Sequence, residues 1–373
     1  MRLMLSFLSV FSLPAFLLAS LILPALQNDK QADAQTAALR KGAAYLQQHQ
    51  IGKAIEELKT AVALDPKSAQ AHMLLGEAYF LQGSHEMIAE AKAELAQALA
   101  IDPGLIWSRF YLAKIYLELG RTQRAKEELE RGLKTKPDSP YFLALLGEAN
   151  RKSGNPELSV RQNKKALELD PSLTAARYYL GLAHLDLKQP EDAIRELQIA
   201  VKSEYVIPEM YLTLGSIYFE KENLQAAREL FQKAIALDPS RPEGHLKLAQ
   251  VYRREKLFAA ALKELALATP EGRRFLSSPY FQQLQADVFF ETGLIHQQRA
   301  ENAEALQAYS RVLEISPDHG NTHRQLAEVL FARAEYARSL EEALKAEKLG
   351  CPVDAPLLEQ IREKARQPGK KSR

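Results

Sequence analysis

The residues able to do chemistry are scattered along this chain rather than gathered at one spacing. Eight histidines fall singly, except that His319 and His323 stand four apart. That interval places two rings on one face of a helix, where they could share a metal ion. The pair has no third ligand at the spacing a closed site needs, so it reads as surface chemistry. Cys351 is the only cysteine, which excludes an intrachain disulfide and a cysteine-based zinc site. No GxSxG elbow, HExxH helix, GxxxxGK[ST] loop or GxGxxG turn occurs. Gly52-Lys53 lacks both the upstream glycine and the following hydroxyl of a phosphate loop. Carboxylates alternate with Lys and Arg in the manner of solvated helix faces, and no pair stands out as an acid and a base. The expectation is a chain with no catalytic residues, no metal and no cofactor.

Composition narrows the partners. Among 373 residues, 46% are hydrophobic and 26% charged, enough apolar material for a folded core throughout. Lys plus Arg (49) nearly balances Asp plus Glu (47), for a net charge of +2. A general nucleic-acid binder needs a basic excess to neutralise phosphates, so nucleic acid is not expected as a partner. After Met1 and Arg2, residues 3–26 carry no charge, and Asp29 and Lys30 follow closely. Two readings stay open. One is a cleaved secretory signal ending near Ala32-Asp33-Ala34. The other is an uncleaved anchor, long enough to cross ~30 Å of hydrocarbon and make membrane contact. In both, Arg2 on the near side leaves the rest of the chain extracytoplasmic, periplasmic or secreted.

The elements that must position any site come from an internal period. A small residue recurs as Gly42, Gly76, Ala113, Gly147, Gly181, Gly215, Ala249, Gly293 and Ala327. Six of the eight intervals are 34 residues; the others are 37 and 44. A second small position runs from Ala54, Ala91 and Ala125 to Ala305 and Ser339, and a proline closes most units, as at Pro66, Pro103, Pro171 and Pro239. Small residues let two antiparallel helices approach closely, and proline stops the second helix. Ser68 and Ser139 sit where the following helix needs an N-cap. The run Tyr211, Leu214, Gly215, Tyr218, Ala227, Phe231, Ala234, Pro239 is similar, position for position, to the tetratricopeptide-repeat signature. The resemblance implies an all-α fold, a right-handed α-α superhelical solenoid of about nine helix-turn-helix repeats.

The organisation expected is a signal or anchor with a short linker (1–34), a repeat solenoid (35–353), and a capping helix with a basic tail (354–373). Three extra residues lengthen the turn near Gly83-Ser84-His85. About ten more lie between Ala268 and Ala286, read as a surface loop or a functional arm near 270–285. The repeats leave only ~50 residues unassigned, too few for a catalytic domain.

In the family this chain resembles, the first helix of each repeat lines a concave groove through its positions 2, 5, 9, 12 and 13. Carried onto this sequence, that frame implies a partner-binding groove of Phe80, Trp107, Phe110, Lys114, Tyr141, Arg151, Tyr178, Phe219, Arg253 and Phe290. Aromatic and Arg side chains are what protein-binding hot spots favour, although position 5 residues can equally be core. Position 9 holds no asparagine, so a clamp for an acidic C-terminal peptide is not implied. The function expected is a non-catalytic scaffold or adaptor holding a protein or peptide partner, in envelope assembly or secretion. A second expectation is a recruiting subunit of an envelope polysaccharide synthesis or export complex.

Overall fold

The computed structural model describes residues 30–83, 85–269 and 279–366, with side chains from 33–83, 87–269 and 279–366. The apolar segment 3–26 lies outside them. Among the described residues there is no strand, and no helix is long and apolar enough to cross a membrane. The chain is all-α and divides into two compact units, residues 1–210 and 211–373.

In the first unit five helix pairs stack: α1 (Lys30–Gln47) with α2 (Ile51–Leu64), α3 (Ala69–Gln82) with α4 (His85–Ile101), α5 (Ile106–Glu118) with α6 (Thr122–Thr135), α7 (Pro140–Lys152) with α8 (Pro156–Leu169), and α9 (Thr174–Asp186) with α10 (Pro190–Ala200). The second unit opens within the first turn of α11 (Pro208–Glu220). It continues with α12 (Leu224–Leu237), α13 (Pro242–Arg254), α14 (Phe258–Ala268), α15 (Pro279–Gln298), α16 (Asn302–Ile315), α17 (Gly320–Ala332) and α18 (Tyr336–Lys348), and ends in α19 (Ala355–Arg366). Ile361 of α19 is fully buried against Ala343 and Val353, so this helix closes the apolar end of the last pair.

Each pair is made by the same local devices. The residue seven places after the small one takes a left-handed conformation in all nine pairs, with φ between 56° and 78°. That residue reverses the chain between the two helices, and Gly83, Gly120 and Gly154 fill it without strain. Proline stands in the first turn of α7, α8, α10 and α13, where its missing N–H is not needed. The Ser68 hydroxyl caps α3 by accepting from the Ala71 amide at 3.3 Å. Ser139 holds the same position before α7 but makes no cap hydrogen bond, so there the preset φ of Pro140 starts the helix instead.

The close approach inside a pair is visible at Gly215, where an added Cβ would lie 2.6 Å from Cε1 of Phe231. Where the small residue is Ala113 or Ala249, the facing side chain is Leu129 or Leu265 rather than an aromatic ring. We therefore expect Gly215→Ala to destabilise the second unit by about 1–3 kcal/mol through overpacking. Adding Phe231→Leu, which copies the native alanine–leucine pairing, should recover part of that loss. Denaturant unfolding of the two variants checks the coupling, and equal losses in both would refute it.

The insertion near 270–285, read as a surface loop or a functional arm, is partly helix. Residues 279–285 form the first turns of α15, which is 20 residues long where α13 has 13. Phe281 and Leu284 are buried there, and the Tyr280 hydroxyl donates to Glu243 of α13. Residues 270–278 of the insertion lie outside the described residues.

Candidate partner-binding surface

The first helices carry the candidate surface, and burial divides its ten expected residues. Phe80 and Phe110 have no exposed surface, which corrects the expectation that they line a groove. Each is covered by the neighbouring first helix: Phe80 meets Tyr111 at 6.0 Å, and Phe110 meets Phe142 at 5.4 Å between ring centroids. Tyr178 retains only 8% of its surface and lies beside Tyr179. Lys114 retains 3%, its Nζ 5.0 Å from the ring centre of Phe80 and 5.9 Å from those of Phe110 and Tyr111. These four serve the stacking of repeats. The other six are half-buried.

In the first unit, Trp107 and Tyr141 are brought together. They begin successive first helices, α5 and α7, and their rings meet edge to face at 5.8 Å. Beneath them Trp107 rests on Phe110 (5.5 Å) and Phe142 (6.0 Å), so a rigid aromatic floor fixes a partly exposed pair. Arg151, further along α7, is engaged inside the chain. It forms two hydrogen bonds of 2.8 and 3.0 Å with the fully buried Glu148 and reaches Asp186 of α9 at 3.0 Å. Burial alone would lower the affinity of Arg151 for its proton, but these two carboxylates outweigh it and hold the guanidinium charged.

The second unit shows the same lateral tying. The Nε of Arg253 on α13 donates to Glu291 of α15 at 2.7 Å, and Gln250 donates to the same carboxylate at 3.1 Å. Gln297 of α15 donates to Glu328 of α17 at 3.0 Å. Phe290 packs against Tyr309 and His319 at 5.9 and 5.2 Å, and Phe219 lies under the guanidinium of Arg254 at 5.6 Å. Polar residues of the first helices thus bridge to the next first helix in both units. Their exposed edges are available to a partner, while their charges are largely committed.

The sequence reading missed a buried group of ionisable residues between α3, α5 and α7. Glu77 is 7% exposed; its Oε1 accepts from the Tyr111 hydroxyl, and its Oε2 is sealed with no hydrogen-bond partner. Both carboxylate oxygens of Glu118 are likewise sealed and unpartnered. Burial pushes Glu77 and Glu118 each up to about 7 and pushes Lys114 down to about 8, with the mutual attraction of acid and ammonium opposing burial in every case. Glu77 and Lys114 occupy position 9 of successive repeats, so the repeat register could have placed them side by side. Their burial had no signal in the sequence.

The two histidines weighed as metal ligands point to different partners. His319 caps α17 through Thr322, and His323 contacts Glu342 at 2.5 Å. Among the described residues no cluster of three or more His, Cys, Asp or Glu could hold a metal ion.

Comparison with known proteins bears on the whole architecture. Tetratricopeptide-repeat family models match residues 42–83, 84–149, 152–204, 178–242 and 218–288. Human "Superkiller complex protein 3" is 32% identical over 124 residues, covering 33% of this chain and 8% of that protein. Xenopus laevis "Tetratricopeptide repeat protein 37" is 31% identical over 140 residues, covering 37% of this chain and 9% of the relative. The chain spans less than a tenth of the length of these curated relatives. Among solved structures, the APC/C hetero-tetramer Cut9–Hcn1 superposes with a TM-score of 0.64 at 16% identity, over 97% of this chain and 68% of that one. A tetratricopeptide repeat protein from Parabacteroides merdae gives 0.52 at 16% identity, over 69% of this chain and 99% of the other. At such identities the likeness is one of fold.

Proposed function

We propose, from the premise that this chain belongs to the tetratricopeptide-repeat family, that it is a non-catalytic scaffold whose first helices hold a partner polypeptide outside the cytoplasm, in envelope assembly or secretion. The observation that carries the binding half is the Trp107–Tyr141 pair: half-buried, fixed from below, and set at the start of adjacent first helices. An aromatic pair on a rigid floor loses little conformational freedom on binding, which is the physical reason such residues dominate binding energy. The extracytoplasmic half rests on the uncharged run 3–26 behind Arg2.

Two measurements test this reading. The full chain fused at its C-terminus to a reporter active only outside the cytoplasm should give signal, and loss of residues 3–26 should abolish it. Equal signal without those residues would remove the extracytoplasmic assignment. Crosslinking of the tagged full chain in cells should capture a defined polypeptide, and Trp107→Ala with Tyr141→Ala should reduce that capture at least tenfold, two hot-spot losses being worth about 2 kcal/mol or more each. Undiminished capture by a folded double variant would move the site off the first helices. Capture of a glycan synthase would favour the polysaccharide-complex reading instead.

A further inference from the structure

Positive charge is concentrated on two second helices of the first unit. Residues 121–136, which contain α6, hold six Lys or Arg against three Glu, and one of these, Glu128, is turned inward to Arg109 at 2.8 Å. α8 holds Arg161, Lys164 and Lys165 against Glu157 and Glu168. Nine cations thus stand against five carboxylates, an excess of four in a chain whose total charge is +2. The second helices on either side reverse the sign. α4 has one lysine and three glutamates, and α10 has one arginine, two glutamates and an aspartate.

Helix geometry turns this charge outward. Ala125, Leu129 and Gly132 of α6, and Ser159, Asn163 and Ala166 of α8, form the buried faces. α6 packs on α5 and α7, and α8 on α7 and α9. Arg124, Lys134, Arg161, Lys164 and Lys165 are exposed away from those faces, and among the described residues none of them is ion-paired. Arg131 is also exposed, although Glu128 holds it at 2.8 Å. Lys165 takes the place of Arg131 one period of 34 residues on, so the two helices present their cations in one register. Two leucines interrupt the polar face of α8: Leu158 is 38% exposed and Leu169 43%. With Lys165 they fall at i, i+11 and i+7, which is a single stripe of the helix.

We propose that the outer faces of α6 and α8 dock on a bilayer surface rich in anionic phospholipid. Cations without a carboxylate partner give up no existing ion pair on meeting lipid phosphate, and each adds to the attraction. Their alkyl stems, with Leu158 and Leu169, reach the boundary between headgroups and acyl chains, where apolar side chains gain by leaving water. A nucleic acid would satisfy the cations and leave both leucines in water, so the mixed stripe favours the bilayer. Charge alone binds weakly and is screened by salt, so such a patch works beside a second membrane attachment. The uncharged run 3–26 supplies one in the same chain. That last step rests on the membrane reading of the run given above; the charge pattern does not.

The test is lysine acylation of the full chain, read by mass spectrometry, with vesicles of phosphatidylcholine alone or containing about one-third phosphatidylglycerol. Modification of Lys134, Lys164 and Lys165 should fall about fivefold or more on the anionic vesicles relative to the neutral ones. It should recover in roughly 1 M salt, where charges are screened beyond about 3 Å. Arg124→Glu/Arg161→Glu copies Glu90 and Glu127, which stand at the same register in neighbouring repeats, and leaves the three lysines in place. This variant should lose the protection. Wild-type lysines left unprotected by anionic vesicles overturn the proposal, as does equal protection of the variant. Protection by duplex DNA and not by vesicles would assign the patch to nucleic acid and overturn it too. The protection of wild type and its release by salt decide the matter even if the variant fails to fold. Sedimentation with neutral vesicles reads residues 3–26 separately. A chain that stays in solution there refutes the membrane reading of that run, while the anionic vesicles still decide the patch.

Discussion

Phe142→Ala is expected to destabilise the first unit by about 3–5 kcal/mol, the usual range for deleting a buried aromatic side chain. Phe142 has no exposed surface and stands where neighbouring helices meet. Its ring lies 6.0 Å from Trp107 and 5.4 Å from Phe110 of α5, and it fills the space over Gly132 of α6, where an added Cβ would come within 2.1 Å of Cε1. Truncation therefore leaves a void that neither Gly132, having no side chain, nor the fixed rings of α5 can close. The melting transition of this unit should fall by roughly 10 °C. Trp107 is the only tryptophan, so its emission reports this site alone. It should shift to the red at temperatures where far-ultraviolet dichroism still shows full helicity. Partner capture should fall with it, because the pair formed by Trp107 and Tyr141 loses its floor. A loss below about 1 kcal/mol would show that the aromatic stack relaxes around the void and does not act as a unit.

The repeat was readable because its cause is local. A small residue is required wherever two helix axes approach, and that requirement returns with the period. The first helices could be placed for the same reason, and with them Trp107 and Tyr141. The division between groove and core was not readable, because it depends on how far the next first helix covers each position. Phe80 at position 12 and Phe110 at position 5 are covered completely, while Arg253 at position 12 and Phe290 at position 5 are not. Position number alone cannot separate these cases. Pro279 illustrates a different loss. Proline within an insertion suggests a loop, yet it is also the favoured first residue of a helix, and here it starts α15. His319 and His323, four residues apart, read as surface chemistry in the sequence, yet His323 is buried. The pairing that matters is with Glu342, nineteen residues on, an interval shared with Arg109–Glu128, Arg177–Glu196 and His245–Glu264. That interval is itself a sequence signal, since it carries a residue four places before the small position to the facing side of the second helix.

Glu77→Gln should remove much of the pH dependence of the first unit's stability. Glu77 is pushed up to about 7 from an ordinary value of 4.5, by burial first, with the Tyr111 hydrogen bond and Lys114 opposing. Because the folded chain holds this proton more tightly than the unfolded chain, the contribution is fully present below pH 4.5 and is lost as pH rises to 7. The span corresponds to something on the order of 3 kcal/mol. Glu118, also pushed up to about 7 by burial, adds a loss of the same sign. Lys114 has the opposite sign. Burial lowers it to about 8, so its contribution is present above its ordinary 10.5 and lost as pH falls through 8. Wild type should accordingly pass through a stability minimum near pH 7–8, with the acid limb set by the two glutamates and the alkaline limb by the lysine. Glutamine matches the protonated acid in shape, and its amide oxygen can still accept from Tyr111. The variant should equal wild type at about pH 5 and exceed it at about pH 8. The gain stays below the full span, because without Glu77 the buried Lys114 ammonium loses one of the two carboxylates that support its charge. Parallel stability curves for the two proteins across that range, measured by urea unfolding, would show that Glu77 does not hold its proton in the folded state.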